Sequence, residues 1–266
     1  MGCEAERSRS RVAEYRRGYS LRQGLYLDDD VFQADMEAIF KREWLFAASG
    51  CEIPEPGDRI TLQIGNNPIL LVRDQHGEVQ GFYNACRHRG SKICLTEKGS
   101  GSVLVCPYHQ WTYALDGALR GARTMGREFD KAAHSLVPVH VADVCGMIYV
   151  CLGEEPPDID TFRRAVTPYI GPHKPWDAKL AASQTIIEEG NWKLVIENNR
   201  ECYHCIGNHP ELLISLLDFP VPNTQKTADE FEKMLSRRTG HWDRLGLPYR
   251  VVTGGPGSKG WRFIRL

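Results

Sequence analysis

Asn84-Ala85-Cys86-Arg87-His88 and, after seventeen further residues, Cys106-Pro107-Tyr108-His109-Gln110-Trp111 are the stretches from which the rest of the chain can be read. Each offers one thiol and one imidazole on a short loop. Two mixed Cys/His pairs on two loops of a β domain point to a metal site, and ligand type alone leaves two choices. A tetrahedral zinc site uses Cys₂His₂. A two-iron, two-sulfide cluster takes two cysteines on one iron and two histidines on the other. Zinc fingers favour Cys-x₂₋₄-Cys followed by a His pair, whereas here each pair is mixed, which favours the cluster. Any one of these side chains taken singly reads as a buried thiol or a satisfied core histidine. All four at these intervals do not.

Outward from these loops the chain alternates short β-type runs with turn signals. The runs are Ile60 to Ile64, Ile69 to Val72, Val79 to Tyr83, Ser102 to Val105, Trp111 to Ala114 and Gly146 to Cys151. Gln75-His76-Gly77 and Asp116-Gly117 supply turns, so a small antiparallel β domain is expected. Upstream, residues 1–27 are Arg- and Ser-rich without an apolar period and read as a leader. Phe32, Met36, Ile39, Phe40 and Trp44 then recur at helical spacing behind the Asp28-Asp29-Asp30 run, which predicts a capped helix. Downstream, Gly153 to Asp158 marks a boundary, a short helical pattern follows, and Gly171-Pro172 breaks it. Lys179 to Ile187 reads as a strand. Asn191 caps a helix starting at Trp192, Asp229 to Arg238 reads as a helix, and Trp261 to Leu266 as a strand. The fold class expected is α+β, divided as leader and helix at 1–43, β domain at 44–155 and α+β domain at 170–266.

Composition narrows the function. The chain has 266 residues, 33 basic against 34 acidic side chains, nine Cys and nine His. A net charge of −1 with no basic run argues against nucleic acid or an anionic membrane surface as the main partner. No apolar stretch is long enough to span a bilayer. Met1-Gly2-Cys3 opens like a myristoylation signal, but Glu6 stands where Ser or Thr is needed. An odd cysteine count without a secretory signal suggests a reduced, cytoplasmic, metal-binding protein. Neither Gly99-Ser100-Gly101 nor Gly254-Gly255-Pro256-Gly257 completes a nucleotide-binding fingerprint.

A second constellation follows the Trp192 helix. Glu201 and His204, three apart, share a helical face, where a carboxylate can accept the imidazole's free N–H. His204 and His209 would lie about 140° apart on an unbroken helix. Gly207-Asn208 ahead of His209-Pro210 would end the helix and let them converge. Two histidines and a carboxylate are the makings of a facial triad for non-haem Fe(II) with positions open to O₂ and substrate. Cys202-Tyr203-His204-Cys205 also admits a thiol-redox or zinc-knuckle reading, but no βαβ pattern surrounds it. His76, His134, His140, His173 and His241 lack ligand spacing and read as structural.

Cys86-x-His88…Cys106-x₂-His109, with Asn84 and Pro107-Tyr108-His109-Gln110-Trp111 around it, resembles the Rieske domain of Rieske non-haem iron oxygenases. Glu197-Asn198…Glu201…Tyr203-His204…His209-Pro210 resembles the catalytic-domain signature of the same family. The run Glu197 to Cys205 is most similar to the branch acting on glycine betaine and proline betaine. The resemblance implies an all-β [2Fe-2S] domain followed by a helix-grip-like catalytic domain. It implies a cluster on Cys86, His88, Cys106 and His109, and mononuclear Fe(II) on His204 and His209. Glu201 would bridge His204 to His109 of a neighbouring subunit in a homotrimer. It further implies O₂ as co-substrate, a small-molecule substrate, and NAD(P)H acting only through a separate flavin/ferredoxin-type reductase. The expected reaction is oxidative N-demethylation of a betaine; alternatives are an aromatic-ring-hydroxylating dioxygenase α subunit and a non-catalytic [2Fe-2S] carrier or metal-binding protein. Asp218, Asp229 and Asp243 do not match the family's third, carboxylate ligand, so a fragment carrying only the first part of the catalytic domain is expected.

Overall fold

Ile69-Leu70-Leu71-Val72, a continuous apolar run, organises the β domain. In the computed structural model all four side chains are 0% exposed. They lie on β3 (Asn67–Arg73), where neighbouring side chains point to opposite faces. Ile69 and Leu71 pack into one core with Ala48, Ile53, Ile148 and Val150. Leu70 and Val72 pack into another with Cys86, Cys106, Trp111 and Tyr113. One strand buried on both faces thus joins the metal loops to the body of the domain.

The structure describes residues 19–200, 208, 225–246, 250–253 and 262–265. These fall into compact units at Met1–Thr185 and Ile186–Leu266. In the first, β2 (Arg59–Ile64), β3, β4 (Val79–Tyr83) and β5 (Lys98–Gly99) form an antiparallel sheet in the order β4-β3-β2-β5. A second sheet, β1-β10-β9, pairs Leu45–Ser49, Met147–Cys151 and His140–Val144. A small third sheet, β6-β7-β8, is made of Leu104–Val105, Thr112–Tyr113 and Leu119–Gly121. Both predicted turns are present. Asp74 Oδ1 accepts the His76 and Glu78 amides at 2.8 and 3.0 Å and Oδ2 accepts Gln80 Nε2 at 2.8 Å, closing the β3–β4 hairpin. At Gly117 φ is +83°, and an added Cβ would come within 2.4 Å of the Phe82 ring. Glycine there serves both the turn and a close approach.

Several expectations need correction. The N-terminal helix does not run to Trp44: α1 (Asp29–Asp35) passes into a π-helical turn, Met36–Phe40. Within α1 Val31 is buried while Phe32 stays 40% exposed. The Trp44 indole N–H donates to Pro157 O at 2.7 Å instead of extending a helical stripe. Asp28 occupies the N-cap without a side-chain capping bond. Lys179 to Ile187 is not a strand; it has no ladder partner among the described residues, and Ile186 and Ile187 are 69% and 86% exposed. In these three sheets, strands β1, β5, β8 and β9 had no sequence counterpart, β5 and β8 being two and three residues long.

Asp158 caps α2 (Ile159–Ile170), accepting the Asp160 and Thr161 amides at 2.9 and 3.2 Å. In the second unit α3 (Trp192–Arg200) begins as expected, with Lys193 N donating to Asn191 Oδ1 at 3.0 Å. Helix α4 (Gln225–Leu245) is longer than Asp229 to Arg238, and β11 (Arg250–Thr253) pairs with β12 (Arg262–Arg265). No described helix is long and apolar enough to cross a membrane. The six described cysteines Cys51, Cys86, Cys94, Cys106, Cys145 and Cys151 are free thiols.

Candidate metal centre

The two Cys/His stretches fold into loops with the same hydrogen-bond plan. In the first, Gly90 N donates to Cys86 O at 2.8 Å and Cys86 N to Ser91 O at 2.9 Å. In the second, Gln110 N donates to Cys106 O at 3.0 Å and Cys106 N to Trp111 O at 2.8 Å. Both turns need a left-handed residue four after the cysteine. Gly90 supplies it at φ +72°, and Gln110 is held at φ +60° despite its side chain.

The loops bring the two thiols together and the two imidazoles together. Cys86 and Cys106 are 4% and 1% exposed, and the two thiols lie beside one another. The His88 and His109 rings meet edge to face with centroids 4.5 Å apart. His88 Nδ1 is buried and has no hydrogen-bond partner, the expected state of an atom reserved for a metal. Among the described residues no three His, Cys, Asp or Glu side chains gather as one ion would require. Thiols paired with each other and imidazoles paired with each other fit a two-iron cluster, which takes two cysteines on one iron and two histidines on the other.

Electrostatics act differently on the two kinds of donor. Burial, and then the neighbouring Cys106, push the Cys86 thiol up. Burial, then His109 and Arg89, pull His88 down, favouring the neutral imidazole that ligates metal. Binding would release the thiol protons.

Asn84, 2% exposed, holds the first loop closed. Its Oδ1 accepts the Ile93 and Cys94 amides, both at 3.0 Å, and its Nδ2 donates to Cys94 O at 2.8 Å. Sequence reading missed Tyr113. Its hydroxyl accepts the Arg87 amide at 3.1 Å and lies 3.2 Å from Cys86 Sγ, oriented by the first bond to donate to a thiolate. The only local signal was its place two after Trp111 on a strand, with inward direction set by the pleat.

Glu201, His204 and His209 lie outside the described residues, as do Asp218 and the Cys202 to Cys205 motif. Of the carboxylates considered, Asp229 and Asp243 are on α4.

Residues 43–141 match the Rieske [2Fe-2S] domain and residues 173–252 the ring-hydroxylating α-subunit catalytic domain. The chain combines a Rieske [2Fe-2S] domain with part of a ring-hydroxylating α-subunit catalytic domain. It is 46% identical over 260 residues to a glycine betaine monooxygenase oxygenase subunit of Pseudomonas aeruginosa, covering 96% of this chain and 61% of that protein. It is 34% identical over 191 residues to a carnitine monooxygenase oxygenase subunit of Acinetobacter baumannii, covering 70% and 51%. A quaternary ammonium Rieske monooxygenase crystallised with L-carnitine superposes with a TM-score of 0.65 at 33% identity, over 73% of this chain and 56% of that one. This Rieske chain thus spans between half and two thirds of the length of these relatives.

Proposed function

We propose that this chain acts in the oxygenase component of a Rieske non-haem iron system that N-demethylates a methylated quaternary amine of the betaine class. The observation that carries this reading is the near-half identity to a glycine betaine monooxygenase subunit, which runs through both domains rather than the cluster domain alone. In this reading residues 44–155 are the cluster domain and 170–266 the N-terminal part of the catalytic domain. Bound, the [2Fe-2S] group relays single electrons from a flavin/ferredoxin-type reductase, fed by NAD(P)H, and a mononuclear iron uses them with O₂.

The chain's own residues divide the work. Cys86 and Cys106 supply thiolates and His88 and His109 neutral imidazoles to the cluster. His204 and His209 hold the second iron, and Glu201 orients His204 and joins it to His109 of a neighbouring subunit in a homotrimer. The third, carboxylate ligand of that iron is not assigned. At the substrate, one N-methyl C–H becomes C–OH, with the second oxygen of O₂ leaving as water after two electrons and two protons. The resulting carbinol loses formaldehyde and a proton, and the nitrogen keeps the electron pair of the broken C–N bond.

Incubation with glycine betaine, reductase, NAD(P)H and O₂ should release one formaldehyde per demethylation. Silence on every betaine together with oxidation of an arene would transfer the assignment to ring hydroxylation. Glu201→Gln should keep a reducible cluster and stop product formation; unchanged turnover would remove the bridge. Cluster iron without any mononuclear iron by EPR and iron quantitation would favour the electron-carrier alternative.

A further inference from the structure

Trp111 stacks on the His88 ring at 4.8 Å with planes 13° apart and is itself only 2% exposed. Two rings close on it from a segment about twenty residues away. His134 meets it edge-on at 5.7 Å and Phe129 at 5.5 Å, and these two lie 4.5 Å from each other. His134 has no ligand spacing in the sequence, and the electron path described above does not use it.

The segment is fastened, so the contact is not incidental. A carbonyl only accepts, so the 2.8 Å contact of His134 Nδ1 with Asp130 O places the proton on Nδ1 and fixes the tautomer. Asp130 Oδ1 accepts the Ala132 and Ala133 amides at 2.9 and 3.3 Å, and His134 N donates to Lys131 O at 3.0 Å. Lys131 Nζ donates to Arg120 O at 3.0 Å and Leu136 N to Gly117 O at 2.9 Å, tying both sides of the turn to β8 and its hairpin.

His88 Nδ1, in contrast, has no hydrogen-bond partner. The plane of that ring is set by packing against Trp111 and His109. We propose that His134 is a positioning residue for the cluster: through Trp111 it holds the His88 imidazole in the orientation the iron requires. The proposal rests on the [2Fe-2S] assignment and not on the substrate.

Two readouts report on His88 without turnover: the EPR g-values of the reduced cluster, and the rate at which a chelator bleaches its visible absorbance. Loss of groups that orient a metal ligand costs roughly 10- to 100-fold in metal affinity, so His134→Ala should lose its cluster about tenfold faster, with displaced g-values. His134→Phe, which returns a ring to Trp111, should stay within about twofold of the parent. If His134→Ala sheds the cluster during purification, His134→Leu keeps the volume without a ring. Displaced g-values in Leu with parental values in Phe then support the proposal. Parental g-values in Ala or Leu, or a Phe variant no better than Ala, overturn it.

Discussion

Removing the Asn84 amide should damage the metal centre without touching a ligand. The side chain is 2% exposed and makes three hydrogen bonds, all to Ile93 and Cys94 on the return limb of the first loop. Asn84→Ala leaves two amides and one carbonyl without these partners. Each orphaned buried group costs about 1–3 kcal/mol, so the gross loss is about 3–9 kcal/mol. A water filling the vacated space would recover part of it, leaving about 3–5 kcal/mol. For a unit of this size that lowers the melting temperature by about 6–20 °C. The assay is a thermal scan at fixed rate, following far-ultraviolet circular dichroism together with cluster absorbance. Because Asn84 precedes Cys86 by two residues, absorbance should fall first, as the loop opens ahead of the sheet. A loss below about 1 kcal/mol, or the two signals falling together at the parental temperature, would refute the claim that these three bonds hold the loop.

Tyr113→Phe removes the hydroxyl beside Cys86 Sγ and should lower the cluster's midpoint potential, because hydrogen bonds to cluster sulfurs stabilise the reduced state; EPR-monitored redox titration reads it. It also orphans the Arg87 amide, at about 1–3 kcal/mol of stability. Gly117→Ala should cost more than Gly77→Ala in urea unfolding. The two share a left-handed φ of +83° and +85°, but only the first would push a Cβ into the Phe82 ring. Equal losses would mean that backbone conformation alone requires glycine at 117. Although burial of Asp74 raises its pKa, the bonds from Gln80, His76 and Glu78 outweigh it and leave the folded value lowered. That stability is present above the unfolded pKa and disappears as pH falls through the folded value. The parent should therefore lose stability between about pH 5 and pH 2 more steeply than Asp74→Asn, and equal slopes would remove Asp74 from the acid response.

Much of the β domain was legible because its signals are local. Strands β2, β3 and β4 were visible as apolar runs between turn residues, and Asn191 marked the start of α3 by the chemistry of its own side chain. Strands β5 and β8 were not legible, since two or three residues carry no period and exist only where a neighbour offers a ladder. The reading of Lys179 to Ile187 failed for the converse reason. It has the composition of a strand and no partner among the described residues.

By itself the sequence offered the candidate donors, Cys86, His88, Cys106 and His109. Two Cys/His loops of fixed spacing impose the same turn twice, and spacing within a loop is a property of the chain alone. Tertiary structure decided what surrounds those donors. Tyr113 reaches Cys86 across 27 residues, and His134 reaches Trp111 from 23 residues away. Contacts at such separations depend on how β3, buried on both faces, sets the two cores side by side. No local pattern encodes that arrangement, because it comes from burying two apolar faces at once.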